Sequence, residues 1–299
     1  CNCFLIIMLN VLITGSNGQV GLELRLLHKK YKNFNWFFTD SSILDITSKS
    51  ELELFLKKVM IDVIVNCAAF TNVELAEDNV ESSNLVNNLA VRNLSLLSKK
   101  YRIKLIHLST DAVFDGKSDV PYLEDDTCNP LGVYAKTKRK GEEQLISINP
   151  INSIILRTSW VYSEYGSNFL KTMLKVLFLQ EEVDVIYDQI GTPTYAKDLA
   201  EVIVKLIPNI DNENVEIYHY SNDGSASWYD FAKEINLALK EECKINPIKT
   251  EEYLSKVCRP HFSVLNKDKI INKFNINIPY WKDSLRNCLN QMELINKNL

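Results

Sequence analysis

Short, almost unbroken apolar runs alternate with amphipathic stretches of helical period through the first half of the chain, and few architectures accept that pattern. Leu9 to Thr14, Asn35 to Asp40, Asp62 to Ala69, Lys104 to Thr110 and Ser153 to Trp160 read as strands. Gln19 to Tyr31 carries Val20, Leu24 and Leu27 on one face. Ser48 can cap a helix through Lys58 that turns Leu52, Phe55, Leu56 and Val59 inward. Further helices are expected from about Leu85 to Tyr101 and from Tyr134 onward. Strands apolar on both sides and joined by helices pair in parallel and need cover on both faces. The expected fold is α/β, a doubly wound parallel sheet. Ligands of such sheets bind beyond the carboxyl ends of the strands, where Gly15, Asp40, Ala69, Thr110 and Trp160 fall.

Two motifs say what binds there. Gly15-Ser-Asn-Gly18-Gln-Val-Gly21 joins the first strand to the first helix. Gly15 permits a tight turn, Gly18 lets the main chain approach a phosphate, and Gly21 lets the helix pack closely. The first-turn amides then face an anion, as a dinucleotide pyrophosphate requires. Asp40, at the end of the second strand, can accept hydrogen bonds from an adenosine ribose and disfavours a 2′-phosphate; it can equally serve as a loop cap. Asp45 and Ile46 lie close enough in sequence to approach the adenine.

Tyr134 and Lys138 stand one helical turn apart on the same face. A free phenol ionises only near pH 10, and a nearby ammonium is expected to lower that value. Tyr134 can then protonate a nascent alkoxide as hydride reaches a carbonyl carbon. Lys138 can also hold the nicotinamide ribose. Thr110, at a strand end, can orient the carbonyl, or it can satisfy backbone there.

Composition removes other classes. A formal net charge of -4 offers no basic field for nucleic acid. No apolar run reaches membrane-spanning length. The seven cysteines include no C-x-x-C pair, which points to reduced thiols and a cytoplasmic setting. The apolar opening Cys1 to Met8 lacks a basic leader and runs straight into the first strand. We expect Met8 to begin the functional chain, with residues 1–7 an extension. After about residue 165 the alternation loosens, Asn209 to Asn214 reads as a loop, and Pro247, Pro260 and Pro279 punctuate the rest. Residues 8–165 are therefore expected to form the NAD(P)-binding domain. Residues 166–299 would form a smaller, mainly substrate-binding region, partly interleaved with the sheet. A last helix near Trp281 to Leu294 is expected to pack only.

The glycine turn, Asn66-Cys-Ala-Ala-Phe-Thr71, Ser109-Thr-Asp111 and the Tyr134/Lys138 pair resemble the extended short-chain dehydrogenase/reductase superfamily. Arg157-Thr-Ser-Trp-Val-Tyr162, Asp188-Gln-Ile-Gly-Thr-Pro-Thr194, Trp228-Tyr-Asp-Phe-Ala232 and Arg259-Pro260 narrow the resemblance to the dTDP-4-dehydrorhamnose reductases. It runs from about Met8 to the carboxyl end. It implies a Rossmann-type sheet and reduction of the C4 ketone of a dTDP-sugar, dTDP-4-dehydro-L-rhamnose, by NADPH or NADH. It also implies that Gly18, Gln19 and Val20 lie along the pyrophosphate and that Asp40, Asp45 and Ile46 lie near the adenosine. Ala69, Phe70 and Thr71 would line the cofactor, Thr110 and Asp111 would contact the sugar, and Trp160 would pack on it. Arg259 would pair with the diphosphate, although a surface ion pair serves it equally well.

Three positions depart from that family's pattern. Ala112 stands where tyrosine is general, Glu74 where aspartate is usual, and Cys67 where alanine is usual. Some members bind magnesium through glutamates at a dimer contact. Glu23 matches one of those positions, but no complete ligand set can be placed, so no metal residue is assigned. Mg2+ and a homodimer stay open, and Glu23 on its own reads as a solvated helix residue. Two alternatives also stay open: a related dTDP-4-ketosugar reductase with a different product, and a non-catalytic cofactor-binding regulatory subunit.

Overall fold

The computed structural model describes residues 8–294. The extension expected before Met8, and the last five residues of the expected second region, lie outside the described residues.

The chain runs β1 (Leu9–Thr14), α1 (Gln19–Leu27), β2 (Phe34–Phe38), α2 (Lys49–Val59), β3 (Val63–Asn66), α3 (Val73–Asp78) and α4 (Val80–Asn84). One turn of π-helix (Leu85–Leu89) leads into α5 (Ala90–Tyr101), followed by β4 (Lys104–Thr110), α6 (Val133–Ile148) and β5 (Ser153–Thr158). The second half adds β6 (Val161–Tyr162), α7 (Phe169–Leu179), β7 (Glu182–Ile186), β8 (Ile190–Gly191), β9 (Thr194–Tyr195) and α8 (Ala196–Asn209). It ends with β10 (Glu216–His219), β11 (Ala226–Ser227), α9 (Trp228–Leu239), β12 (Lys244–Ile248), α10 (Asp268–Phe274) and α11 (Trp281–Gln291).

Six strands form one all-parallel sheet in the order β10-β5-β4-β3-β1-β2. The order reverses between β1 and β3, so the crossovers before and after that point cover opposite faces. Alternate strand residues divide accordingly. Val11, Ile13, Val63 and Val65 pack with α1 and with α8 from the second half. Leu12, Ile64, Leu105 and Ile155 pack with α2, α5 and α6. A separate core joins α7, α9 and α11 in the second lobe. There α11 buries Trp281, Leu285, Cys288 and Leu289.

The differences from the expected elements are local. Helix α1 ends at Leu27 rather than Tyr31, because the Tyr31 carbonyl accepts from Trp36 Nε1 at 3.1 Å as the chain turns into β2. The expected third strand stops at Asn66, and residues 67–72 leave the sheet as a loop. Ser48 does cap α2, accepting from Glu51 N. The expected helix from Leu85 is interrupted by the π-turn, whose Asn87 clasps that loop. Its Oδ1 accepts from Phe70 N at 2.8 Å and its Nδ2 donates to Phe70 O at 3.0 Å.

Candidate active site

A cavity of about 1190 Å³ follows the carboxyl ends of the strands, from the glycine turn to the segment between Thr250 and Pro260. At its first end, Gly15 adopts φ +63°, and a Cβ there would meet the Ala68 main chain at 2.6 Å. The turn is thus wedged against the chain leaving β3, where the strand order reverses. Gly18 caps α1, and a Cβ on it would meet only Gly15 O, at 3.3 Å. Bare main chain at a helix start, with free first-turn amides and open space in front, fits a dinucleotide pyrophosphate. Gly21 packs on the turn itself, where a Cβ would lie 2.5 Å from Gly15 O. Gln19 and Val20 also line this end. The Gln19 side chain ties the turn to the second lobe, its Oε1 accepting from Ser163 Oγ (3.0 Å) and Asn168 Nδ2 (2.8 Å).

Asp40 lies two residues past β2 on the cavity wall. Its Oδ1 accepts from Ser42 Oγ at 2.6 Å and Ser42 N at 2.9 Å, and its Oδ2 accepts from Asn17 Nδ2. The Ser42 hydroxyl, then the Ser42 amide, hold the carboxyl below its usual range. The loop-cap reading is therefore satisfied without removing the acid from the wall. Asp45 and Ile46 line the same stretch, Asp45 accepting from Thr47 N at 2.8 Å. Ala69 and Thr71 face the cavity; Phe70 is not among its lining residues. Its main chain is held by Asn87.

Thr110, Asp111, Tyr134, Lys138 and Trp160 meet in the middle of the cavity. The Thr110 hydroxyl accepts from Ala112 N at 3.2 Å and donates to Asp111 Oδ1 at 3.1 Å. Burial pushes the Asp111 carboxyl up to about 6, with Ser263 and Thr110 pulling it back. The expected lowering of the phenol by Lys138 does not occur. Burial pushes Tyr134 up to about 12, the Thr110 hydroxyl opposes that rise, and the Asp111 charge adds to it. The Lys138 ammonium is engaged elsewhere: Nζ donates to Leu108 O at 2.5 Å. Burial lowers Lys138 to about 8, against the pull of Glu142 and Cys67. Beneath them, Thr14, Asn66 and His107 lie in register across β1, β3 and β4. Thr14 Oγ1 donates to Asn66 Oδ1 at 2.6 Å, and Asn66 Nδ2 meets His107 Nδ1 at 3.0 Å. Burial, then Lys138, holds His107 well below its ordinary value, so the ring is neutral.

At the far end Arg259 lines the cavity and also reaches Glu74, with Nη2 3.4 Å from Oε1. Ser255 Oγ donates to the same oxygen at 2.8 Å, and Lys256 reaches Asp78 at 3.3 Å. Both of these carboxylates sit on α3. One face of the Trp160 ring is covered by Trp228, with centroids 3.5 Å apart. Trp228, Gln189 and Ser263 line the cavity without having been expected as site residues. The first two sit in motifs that served only as family marks, whereas Ser263 has no signal in the sequence.

Glu23 is buried at 2 % exposure rather than solvated, because α1 is covered by α8, and its Oε1 has no partner. Burial first, then Glu164, push its carboxyl up to about 8. Lys197 lines the same recess. Among the described residues no three His, Cys, Asp or Glu side chains come together as a metal-binding group. Glu164 and Glu201 line that recess too, yet with Lys197 among them they form no such group, and no magnesium step is derived. No helix among the described residues is long and apolar enough to cross a membrane.

Residues 9–294 match the family described as RmlD substrate binding domain. Among curated relatives, the spore coat polysaccharide biosynthesis protein SpsK of Bacillus subtilis is 39% identical over 95% of this chain and 98% of its own length. A dTDP-4-dehydrorhamnose reductase of Aggregatibacter actinomycetemcomitans is 37% identical over 94% of this chain and 98% of its own. A dTDP-4-keto-6-deoxy-D-glucose reductase of Streptomyces niveus is 34% identical over 86% and 88%. A crystal structure of dTDP-4-dehydrorhamnose reductase from Bacillus anthracis in complex with NADP superposes with a TM-score of 0.90 at 33% identity, covering 95% of this chain and all of that one. This chain thus matches its relatives from end to end, carries the glycine turn and the Thr-Tyr-Lys cluster, and belongs to the RmlD substrate binding domain family.

Proposed function

We propose that this protein is a dTDP-4-dehydrorhamnose reductase, reducing the C4 ketone of dTDP-4-dehydro-L-rhamnose to dTDP-L-rhamnose with NADPH or NADH. The observation that carries the reading is one continuous cavity. It joins a pyrophosphate-ready turn, a half-buried phenol and a guanidinium. When bound, the nicotinamide supplies the hydride. Gly15, Gly18, Gln19, Val20 and Gly21 receive the pyrophosphate through main chain and close packing. Asp40, Asp45 and Ile46 form the adenosine wall, and Ala69 and Thr71 line the path beyond. Thr110 donates to the C4 carbonyl and Tyr134 gives its proton to the alkoxide oxygen. Lys138 then stabilises the phenolate left behind. Asp111 accepts from a sugar hydroxyl, Trp160 contacts the sugar, and Arg259 leaves Glu74 for the diphosphate. Residues up to about 165 form most of the cofactor half and later residues most of the substrate half; β10 and α8 return to the sheet.

A second reading, a related dTDP-4-ketosugar reductase with another product, is favoured by Ala112 and by the Streptomyces relative. Purified protein mixed with dTDP-4-dehydro-L-rhamnose and NADPH or NADH separates the two. Cofactor oxidation with dTDP-L-rhamnose formed supports the first reading. Turnover only of another dTDP-ketosugar supports the second, and bound cofactor without any turnover overturns both.

A further inference from the structure

We propose that Trp228 is a positioning residue for Trp160, and that the stacked pair receives the deoxysugar along the edge of the Trp160 indole. The proposal rests on the reading of the cavity as a dTDP-sugar site. The two rings lie 6° from parallel with centroids 3.5 Å apart, so Trp228 covers one face of Trp160. Gly191 closes on the same indole: a Cβ there would come 2.6 Å from Cε2, 2.7 Å from Cζ2 and 2.8 Å from Nε1. A sugar therefore meets the edge of the ring rather than a free face.

Trp160 is also strained. Its φ is +45°, a region that bulky residues enter only when their surroundings over-determine it. Thr194 N donates to its carbonyl at 3.2 Å, which fixes the main chain, but the ring is held by its stacking partner. Trp228 is itself anchored. It opens α9 directly after Ser227, whose side chain and Asp230 form a reciprocal cap. Phe169 packs on it with centroids 4.7 Å apart. Its Nε1 donates to Gln189 Oε1 at 3.1 Å, and Gln189 Nε2 donates to Thr250 Oγ1 at 3.2 Å. Thr250 in turn donates to Asp188 Oδ1 at 2.6 Å. Thr250 N donates to the same Asp188 oxygen at 2.9 Å, so the segment that carries Arg259 keeps an anchor of its own when Trp228 is replaced.

The test compares wild type, Trp228→Leu, Trp228→Phe and Trp160→Phe. Trp160→Phe should weaken dTDP-L-rhamnose binding and leave dTDP binding unchanged. Trp228→Leu should weaken dTDP-L-rhamnose binding and raise KM for the ketosugar by about fivefold to tenfold, while dTDP affinity and Tm hold. Trp228→Phe should recover most of that loss. Unchanged dTDP-L-rhamnose affinity in Trp228→Leu, or equal losses for both nucleotides, would overturn the proposal. Wild-type protein that binds neither nucleotide overturns the dTDP-sugar reading itself, and the proposal with it.

Discussion

Lys138 Nζ donates to the main-chain oxygen of Leu108, so the ammonium of the Tyr134/Lys138 pair is docked on β4 before any ligand arrives. Tyr134 keeps its proton until about 12, whereas Lys138 loses its own at about 8. Reduction needs the phenol protonated and an ammonium ready to support the phenolate. Raising the pH through about 8 removes the second condition first. We therefore expect kcat/KM for ketone reduction to fall as pH rises through that value, and the limb to move upward in Lys138→Arg. A profile that stays flat until the phenol titrates contradicts the assignment.

Removing the proton donor should separate chemistry from binding. Tyr134→Phe should lower kcat by about a hundredfold or more. Fluorescence titration should show NADPH affinity retained, because the pyrophosphate is received by the distant glycine turn. Full turnover in this variant would show that another group protonates the alkoxide.

The Arg259–Glu74 pair is partly exposed, at 38% and 44% of the side chains, so it is weak enough for a diphosphate to displace. Glu74→Gln removes the internal competitor while keeping a hydrogen-bond acceptor for Ser255. Its KM for the dTDP-sugar should fall about twofold to threefold, consistent with the worth of an exposed ion pair. Arg259→Ala should raise it. An increase in KM for Glu74→Gln would mean that the carboxylate positions the segment instead of competing with the ligand.

Glu23 supplies a stability test with a definite sign. An acid whose pKa is higher folded than unfolded binds its proton more tightly in the folded state. Its contribution is then most favourable below the ordinary value of 4.5 and is lost as pH rises to about 8. Glu23→Gln should raise Tm by roughly a few degrees at pH 8 and leave it unchanged near pH 4.5. Chelation with EDTA should change neither turnover nor Tm. Loss of Tm on chelation would return magnesium to this recess.

Asp40 lies on the cavity wall, its carboxyl held below its usual range by Ser42. A carboxylate there repels a 2′-phosphate. Asp40→Ser should shift the ratio of kcat/KM values toward NADPH by about tenfold, measured with the same ketosugar. A ratio that does not move would place the ribose selection elsewhere.

The parallel sheet was legible because its evidence is local. The apolar run of Val11, Leu12 and Ile13, the glycine turn after β1, and the Tyr134/Lys138 spacing all arise within a few residues of chain. The same holds for the Ser48 cap. Other features depend on elements far apart in sequence. Glu23 reads as a solvated helix acid until α8, more than a hundred residues later, covers α1. The loop after β3 carries Phe70, and its hold on Asn87, seventeen residues later in the π-turn, has no local signal. Lys138 reads as the charge that lowers Tyr134, and only the docking of α6 on β4 sends that charge to Leu108 O and leaves burial to dominate the phenol. By itself the sequence determined the parallel sheet, the glycine turn after its first strand and the Tyr134/Lys138 spacing. Tertiary packing decided the protonation of the cavity's side chains, their partners and which surface of Trp160 is free, because desolvation and contact depend on neighbours that no local pattern encodes.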